Sequence, residues 1–369
     1  MKTSRISGLI DAQPEMPTSA SRPLSSEVEV VPRPCCFVCG QAGRELYGGL
    51  IDWLFSAPGR WGMRGCADCG IVWLDPQPAI QEIPKLYSNY YTHVGAPSHV
   101  SFGRLRQEIS RSVLSRLGYS ADRHPVDHSD KILPRLLSRI GPIARANALD
   151  VVGLHAADVG SLLDVGCGNG YFMERMRSLG WSVTGVDPDP SAVSYAAGQG
   201  LRVFHGTVAD VPDEARFDVI VLSHVIEHVP DPIQLLRDCE RRLRPGSGRL
   251  IITTPNVNSL GHRWFKQYWR GLEIPRHLVL FSATALGKCV ARAGLLLENL
   301  RTETRLAVRI HNASACARAG ERMVAERTRF KASTKIGGYF FMVAENTLIS
   351  FNPQLGEELF CICRAPQLP

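Results

Sequence analysis

Residues 162–170 read Leu-Leu-Asp-Val-Gly-Cys-Gly-Asn-Gly, an apolar run that leads into three glycines at alternate positions. A helical pattern begins near Tyr171. Glycines here let the backbone turn tightly and approach a ligand, and the first turn of the next helix presents free amide groups. The stretch therefore predicts a strand, a ligand-binding loop and a helix, in that order.

The chain beyond this loop continues as alternating strands and helices. Short apolar runs separated by helical segments are typical of βαβ units in a parallel sheet that is covered on both faces. The first five predicted strands lie at 162–165, 183–186, 201–204, 219–222 and 250–253. Two later runs, 295–300 and 359–363, predict additional edge strands. We therefore expect a doubly wound, Rossmann-like α/β core.

An acid follows the second predicted strand. Asp187 lies about twenty residues after the glycine loop, where a carboxylate accepts hydrogen bonds from two ribose hydroxyls. Dinucleotides and S-adenosylmethionine share this plan. A dinucleotide loop has the spacing Gly-x-Gly-x-x-Gly, whereas this loop is Gly-x-Gly-x-Gly and is preceded by Asp164. That acid would repel a pyrophosphate and suits an ammonium group, so the sequence favours S-adenosylmethionine.

Four motifs occur in order: DVGCGNG at 164–170, VDPD at 186–189, FDVIVLSHVIEHVPDP at 217–232 and TPN at 254–256. Together they resemble the class I S-adenosylmethionine-dependent methyltransferases, over residues 162 to about 364. The resemblance implies a seven-stranded core and an enzyme that transfers a methyl group. A common form of the family has an acid where Thr207 stands, so the adenine contact here comes from main chain or from Asp210. The cofactor-binding residues it implies are Asp164, Gly166, Cys167, Gly168, Gly170, Asp187, Pro188, Thr207, Val208, Asp210, Ser223 and His224.

Residues 224–228, His-Val-Ile-Glu-His, match the H-x-x-E-H pattern of one metalloprotease group. Such a site needs both histidines on a long helix, whereas this run follows a predicted strand at the active-site edge of the sheet, so we reject a protease. The run resembles the E-x-x-E-H motif with which small-RNA 3′-terminal and ubiquinone-pathway O-methyltransferases hold a divalent ion. Glu227 and His228 match, His224 replaces the first acid, and His277 stands where the RNA enzymes have a fourth ligand.

Three interpretations of this cluster stay open: an ion that lowers the pKa of a bound hydroxyl, a histidine base, or a purely structural group. For a general base we predict His277 first and His228 second, because a neutral imidazole near pH 7 accepts a hydroxyl proton. The predicted catalytic set is His277, His228, Glu227 and His224.

Two C-x-x-C-G knuckles stand near the N-terminus, 36–40 and 66–70. Two sulfurs at i and i+3 in a tight turn can reach one ion, and four thiolates make a closed, structural zinc site. The predicted ligands are Cys36, Cys39, Cys66 and Cys69. A redox role is the alternative, but neither pair has a thioredoxin-like βαβ context. A zinc segment ahead of a methyltransferase core resembles the sugar C-methyltransferases of deoxysugar pathways.

These patterns divide the chain into four predicted segments: a disordered Ser- and Pro-rich tail 1–34, a zinc-binding segment 35–78, a helical lid or linker 79–156 and the core 157–369. Within the lid, apolar residues at helical spacing over 102–117 predict a helix that ends at Gly118. Its arginines, Arg104, Arg106, Arg111 and Arg116, form either a solvated face or an anion-binding one.

Composition limits the partners. The 369 residues carry 42 Lys+Arg against 35 Asp+Glu, a net charge of +7 that is too mild to predict nucleic acid. The absence of an eighteen-residue apolar run or a signal pattern, together with eleven cysteines, predicts no membrane insertion and a cytoplasmic address. The sequence leaves the oligomeric state open.

The predicted reaction is methyl transfer from S-adenosylmethionine to a hydroxyl oxygen of a sugar, a glycan precursor or a small metabolite. The alternatives within the enzyme class are an RNA or quinone-precursor O-methyltransferase with a second divalent ion at the acceptor site. Outside it stand a nicotinamide-dependent oxidoreductase and a module that binds the cofactor without turnover.

Overall fold

The computed structural model describes residues 28–87, 104–119, 132–321 and 330–367. Its centre is a seven-stranded sheet made of β6 Ser161–Val165, β7 Ser182–Asp187, β8 Arg202–His205, β9 Val219–Ser223, β10 Arg249–Pro255, β12 Leu296–Glu303 and β13 Glu358–Arg364. The strand order is β12-β13-β10-β9-β6-β7-β8. The strands from β10 to β8 in this order run parallel, and β13 is antiparallel to both of its neighbours.

The sheet is covered on both faces, as the apolar runs predicted. Leu162 and Val219 pack on one face with Leu154, in a cluster that includes Trp181. The adjacent residues Leu163 and Ile220 belong to the core on the other face. Because neighbouring side chains on a strand point to opposite faces, both layers are apolar and the strands read as continuous hydrophobic runs. The seven predicted strands and the doubly wound class are confirmed.

One strand lies elsewhere than predicted. The run 359–363 was expected at an edge, but β13 lies between β10 and β12, and only β12 is an edge strand. The burial of the two strands gives the reason: β13 is almost wholly buried, whereas half of β12 is exposed. A strand that is apolar on both faces belongs in the interior of a sheet.

Helices connect the strands of the core. They are α4 Tyr171–Ser178, α5 Pro190–Gly198, α6 Pro232–Arg242, α7 Leu260–Phe265, α8 Ala283–Arg292, α9 Ala307–Arg318 and α10 Ala332–Leu348. Ahead of the core lie α1 Arg104–Arg116, α2 Ile132–Leu137 and α3 Gly141–Ala148. The helix α1 ends just before Gly118, as expected; Phe102, its predicted first apolar residue, lies outside the described residues.

The cysteine segment and the core share a second sheet. It consists of β2 Arg44–Leu50, β3 Trp61–Gly65, β4 Val72–Leu74 and β11 Val279–Leu280, in the order β11-β4-β3-β2. Because β11 comes from the predicted core and pairs antiparallel with β4, the two predicted segments are joined by backbone hydrogen bonds.

The predicted tail boundary also moves. Residues 1–27 of the predicted tail lie outside the described residues, but β1 Val30–Val31 pairs antiparallel with β5 Gln77–Pro78. Regular structure therefore begins before Cys35, because this pairing satisfies backbone groups that a disordered segment would leave to water.

Among the described residues, every helix is too short or too polar to cross a bilayer.

Candidate active site

The glycine loop joins β6 to α4 at the carboxyl end of the sheet. The amide of Gly166 donates to the Val186 carbonyl (2.8 Å), and the amide of Gly168 donates to Asp187 Oδ2 (2.8 Å). Gly170 has φ +78°, and a Cβ built there would lie 2.4 Å from Leu201 Cδ1. Only glycine fits that position, since both the conformation and the contact exclude a side chain.

A cavity of about 630 Å³ opens beside this loop, within the size range of small-molecule sites. Its lining comes from the loop and the end of β6, from α1, the segment after α3 and α4, and from the chain at the ends of β9 and β12: Arg106, Gln107, Ser110, Arg111, Leu114, Leu149, Asp150, Val152, Asp164, Gly166, Cys167, Asn169, Tyr171, Phe172, Arg175, Ser223 and Arg305. The cavity lies where a doubly wound sheet places its ligand.

The cavity includes some of the predicted cofactor residues and omits others. Asp164, Gly166, Cys167 and Ser223 line it. The remaining predicted residues are not part of its lining: Gly168, Gly170, Asp187, Pro188, Thr207, Val208, Asp210 and His224. Asn169 is a lining residue that we missed, although it lies inside the quoted glycine loop and its position alone was a sufficient signal.

Asp164 is the buried acid of the cavity wall, with 4% of its surface exposed. Burial, with a smaller contribution from the charge on Asp187, raises the pKa of its carboxyl to about 8. An adjacent ammonium favours the charged form of a carboxyl, so a cationic ligand would lower the pKa of Asp164 and stabilise its carboxylate. The group suits the amino end of a methionine moiety.

Asp187 holds the glycine loop through a hydrogen bond. Its Oδ2 accepts from Gly168 and its Oδ1 accepts from the amide of Asp189 (2.9 Å). Each carboxylate oxygen has two lone pairs and can accept more than one hydrogen bond. The predicted ribose contact is compatible with this position, and it stays a prediction.

Asp210 has a local partner. Its Oδ2 accepts from the amide and the hydroxyl of Thr207 (2.7 and 3.0 Å), and these bonds lower the pKa of the carboxyl. Thr207 and Asp210 are exposed and Val208 is buried. These hydrogen bonds give Thr207 and Asp210 a structural role in capping the turn between them. The predicted adenine contact stays a prediction.

His224 leaves β9 in a left-handed conformation, φ +55°, and its ring lies between two carboxylates. Nδ1 is 3.2 Å from Glu227 Oε1 and Nε2 is 2.9 Å from Glu358 Oε1. Burial favours the neutral ring, but the hydrogen bonds to Glu227 and Glu358 outweigh it and raise the pKa of His224 to about 10. An imidazolium with both nitrogens engaged is neither a base nor a metal ligand. The catalytic role predicted for His224 therefore does not fit this geometry.

Glu227, His228 and His277 come together as predicted. Their ligand atoms all lie within 4.8 Å of one another. Glu227 is fully buried, and its Oε2 accepts from the Thr254 hydroxyl (2.9 Å). Burial raises the pKa of Glu227, but the hydrogen bond and charge of His224 oppose it and lower the pKa to about 2. The cluster therefore contains a permanent carboxylate.

The tautomer of His228 follows from its neighbours. Its Nδ1 lies 3.1 Å from the Arg276 carbonyl and 3.0 Å from the Tyr87 hydroxyl. A carbonyl only accepts, so Nδ1 carries the proton and the neutral ring presents Nε2 as the acceptor atom. The side chain is half-buried.

His277 is more enclosed, with 4% of its surface exposed. Its Nδ1 donates to the Gly271 carbonyl (2.7 Å), and its ring packs edge to face on His228 with centroids 4.7 Å apart. Burial lowers its pKa to about 4 despite the charge on Glu273, so the ring is neutral at physiological pH. The greater exposure of His228 favours it over His277 as the base, and the order of the two stays a prediction.

The four predicted zinc ligands also meet. The sulfurs of Cys36, Cys39, Cys66 and Cys69 lie within 4.8 Å of one another, and Cys39 Sγ is 3.5 Å from Cys66 Sγ. These separations are close to those across a tetrahedron with metal–sulfur bonds of about 2.3 Å, so the donor set fits zinc. In each knuckle the glycine amide donates back to the first cysteine's carbonyl, which closes the turn.

Part of the chain matches a known family model. Residues 127–300, a little under half of the chain, match the model of a family described as a methyltransferase domain. Together with the strand order and the glycine loop, this match shows an α/β methyltransferase fold.

Curated relatives match part of the chain. A protein of Caulobacter sp. (strain K31) named ubiquinone biosynthesis O-methyltransferase is 41% identical over 26% of this chain and 40% of its own length. A protein of that name from Proteus mirabilis (strain HI4320) is 31% identical over 40% of this chain and 64% of its own length. The chain thus spans less than two thirds of these relatives.

Solved structures show weaker likenesses. A complex of the Haloferax volcanii Trm112 methyltransferase activator with a methyltransferase is 18% identical, covers 72% of this chain and 99% of that chain, and has a TM-score of 0.43. The fold assignment rests on the strand order instead.

Proposed function

We propose that this protein transfers a methyl group from S-adenosylmethionine to a hydroxyl oxygen of a small molecule. The observation that carries the proposal is the cavity at the carboxyl ends of β6 and β9, whose wall holds the buried acid Asp164 beside the glycine loop. S-adenosylmethionine brings an ammonium group that favours the charged form of this acid, whereas a pyrophosphate offers the acid no cation.

The residues would act on the cofactor as follows. Asp164 pairs with the amino group of the methionine moiety, the loop from Gly166 to Gly170 lies against the cofactor, and Asp187 accepts from the ribose hydroxyls. S-adenosylmethionine supplies, when bound, a methyl group on a sulfonium that is open to nucleophilic attack. The chain's part is to hold the two reactants in line and to exclude water.

His228 is our proposed general base. Because Nδ1 donates to the Arg276 carbonyl, Nε2 is the acceptor nitrogen of the neutral ring, and the ring is more exposed than that of His277. Glu227, held ionised by His224, would stabilise the positive charge that His228 gains on taking the hydroxyl proton.

An alternative use of the same cluster is a second divalent ion held by Glu227, His228 and His277, whose ligand atoms are close enough to share one. His224 would support Glu227 from outside this set. Two imidazoles and one carboxylate favour a borderline ion such as Zn²⁺, Mn²⁺ or Fe²⁺ over Mg²⁺.

The proposed acceptor is a phenolic hydroxyl, as in a quinone precursor. The names of the curated relatives support this acceptor over a sugar or glycan hydroxyl, which our sequence analysis placed first. A phenol also ionises more readily than a sugar hydroxyl, so one histidine suffices as base.

The four cysteines are proposed to hold a structural zinc ion. A closed set of four thiolates leaves no open position for a substrate. The zinc ion would therefore stabilise the cysteine segment, which carries Asp52, and the chain just beyond it, which carries Tyr87.

The test is a two-stage assay on the full chain. Binding of S-adenosylhomocysteine is measured first by calorimetry, and radiolabelled methyl transfer is then measured with catechol and pyrogallol against a panel of sugars, nucleotide sugars and short RNA. Methylation of a phenol supports the proposal. Methylation of sugars or RNA alone would overturn the acceptor, and cofactor binding without transfer to any class would favour a non-catalytic module.

A further inference from the structure

We propose that four arginines of the cavity wall, Arg106, Arg111, Arg175 and Arg305, bind an anionic group, a carboxylate or phosphate, on the methyl acceptor. The inference rests on the proposed function, because it names the acceptor class of the same site. Our sequence analysis left the α1 arginines as either a solvated or an anion-binding face, and the cavity now separates them: Arg106 and Arg111 line it, and Arg104 and Arg116 do not.

The four guanidinium groups come from three separate parts of the fold. Arg106 and Arg111 belong to α1, Arg175 to α4, and Arg305 follows β12. The polar residues Gln107 and Ser110 of α1 lie in the same wall, and Arg175 Nη2 donates to the Ser110 hydroxyl (3.2 Å). Convergence of elements distant in sequence on one cavity is what a built site requires.

The acids of the cavity wall do not balance these charges. Its lining contains two carboxyl groups, Asp150 and Asp164. Asp150 is shared between Arg175 at 3.9 Å and Arg305 at 4.0 Å, which is the outer limit of an ion pair. Arg305 Nη2 also lies 3.4 Å from Glu358 Oε1, a carboxylate outside the lining that His224 contacts as well. Asp164 lies at the cofactor end, and its raised pKa of about 8 makes it a weak counter-charge near neutrality. The described wall therefore has an excess of positive charge.

Two of the arginines also hold unused donors. Arg175 Nε and Arg305 Nε are buried and have no hydrogen-bond partner among the described residues. A buried N–H without an acceptor costs free energy, and an arginine presents its donors in a planar fork that matches carboxylate and phosphate oxygens. These two Nε atoms are closed off from the cavity, so a bound anion would be held by the terminal Nη atoms of the guanidinium groups.

The cofactor offers a second source of the same chemistry, because S-adenosylmethionine carries one carboxylate of its own. One carboxylate engages one or two guanidinium groups at most in the bidentate geometry. Four arginines around one cavity therefore leave room for an anion on the acceptor, and the experiment below separates the two sources.

The test uses the full chain saturated with S-adenosylhomocysteine and two matched probe pairs: 3,4-dihydroxybenzoate against catechol, and phenyl phosphate against phenol. We expect at least one anionic probe to bind roughly 10-fold more tightly than its uncharged partner. The double variant Arg106→Gln/Arg111→Gln should lose that preference, and Arg104→Gln, on the same helix but outside the cavity, should keep it.

Three results would overturn the inference while leaving the proposed function standing, provided that S-adenosylhomocysteine binds. The first is that neither anionic probe is preferred over its uncharged partner. The second is that the double variant keeps the preference. The third is that the double variant binds S-adenosylhomocysteine more weakly but binds 5′-methylthioadenosine, which lacks the carboxylate, and the probes as before. The last result would assign the arginines to the cofactor's carboxylate. Failure of the wild type to bind S-adenosylhomocysteine would instead contradict the proposed function itself.

Discussion

Arg276 and Asp52 form a bidentate ion pair that is completely buried and joins the cysteine segment to the methyltransferase core. Nη1 lies 2.8 Å from Oδ2 and Nη2 lies 3.2 Å from Oδ1, with side-chain exposures of 0% and 1%. The next residue is His277, and the Arg276 carbonyl fixes the tautomer of His228. The segment that precedes the core therefore helps to orient the histidines of the candidate active site.

The first prediction concerns this pair. Asp52→Ala leaves the Arg276 guanidinium buried with its main counter-charge removed, and we expect a loss of about 3–5 kcal/mol in the free energy of unfolding. Chemical denaturation monitored by tryptophan fluorescence measures it. Glu45→Ala, which removes an exposed acid of the same segment outside both knuckles, is the control and should change stability little. Equal stability of the two variants would show that the pair does not hold the segment to the core.

The second prediction concerns zinc. Cys39→Ser combined with Cys69→Ser should release the metal and lower the melting temperature, because two of four thiolates cannot close the site. Elemental analysis and thermal denaturation are the measurements. Cys35→Ser is the matched control, since Cys35 is adjacent to the first knuckle but outside the four-sulfur cluster. Stoichiometric zinc in the double variant would refute the four-thiolate site.

The third prediction concerns pH. The pKa of Asp164 is raised to about 8, so the carboxyl is protonated below that value in the free protein. Pairing with an ammonium requires the carboxylate, so affinity for S-adenosylhomocysteine should rise by up to about tenfold per pH unit below pH 8 and level off above it. Binding at pH 7 should release most of one proton.

Calorimetry in two buffers of different ionisation enthalpy counts that proton. Asp164→Asn should bind more weakly and release none, because the amide does not titrate. A wild-type affinity that is flat between pH 6 and 8 would remove Asp164 from the ammonium contact.

The fourth prediction concerns the base. With a phenol that the wild type methylates, His228→Gln should lower kcat by roughly 10²–10⁴-fold and leave affinity for S-adenosylhomocysteine nearly unchanged. His277→Gln should have a smaller effect on kcat, since this ring is the more buried of the two. If only His277→Gln abolishes turnover, the order from our sequence analysis is correct and the proposal here is wrong.

The parts of the fold that the sequence predicted are those with local signals. The glycine loop from Gly166 to Gly170, the alternation of strands and helices, and the two cysteine knuckles are all written in short stretches of chain. The position of β13 was not predictable in this way, because its residues meet those of β10 across more than a hundred positions and those of β12 across more than fifty.

The sequence predicted which residues form the candidate site better than it predicted the contacts between them. Glu227, His228 and His277 were identified from spacing and resemblance, and the structure brings them together. Glu358, which together with Glu227 raises the pKa of His224, lies 134 residues from His224 and gave no signal. Asp52 and Arg276 look like ordinary surface charges in the sequence, and only the fold shows that they face each other in a buried interface.

The most direct test of the central claim is a calorimetric titration of the full chain with S-adenosylhomocysteine and, separately, with NADH. We predict micromolar binding of S-adenosylhomocysteine, weakened in Asp187→Ala by the loss of the ribose contact, and no binding of NADH. Binding of NADH alone would contradict the assignment of the cavity to S-adenosylmethionine, and with it the proposed reaction.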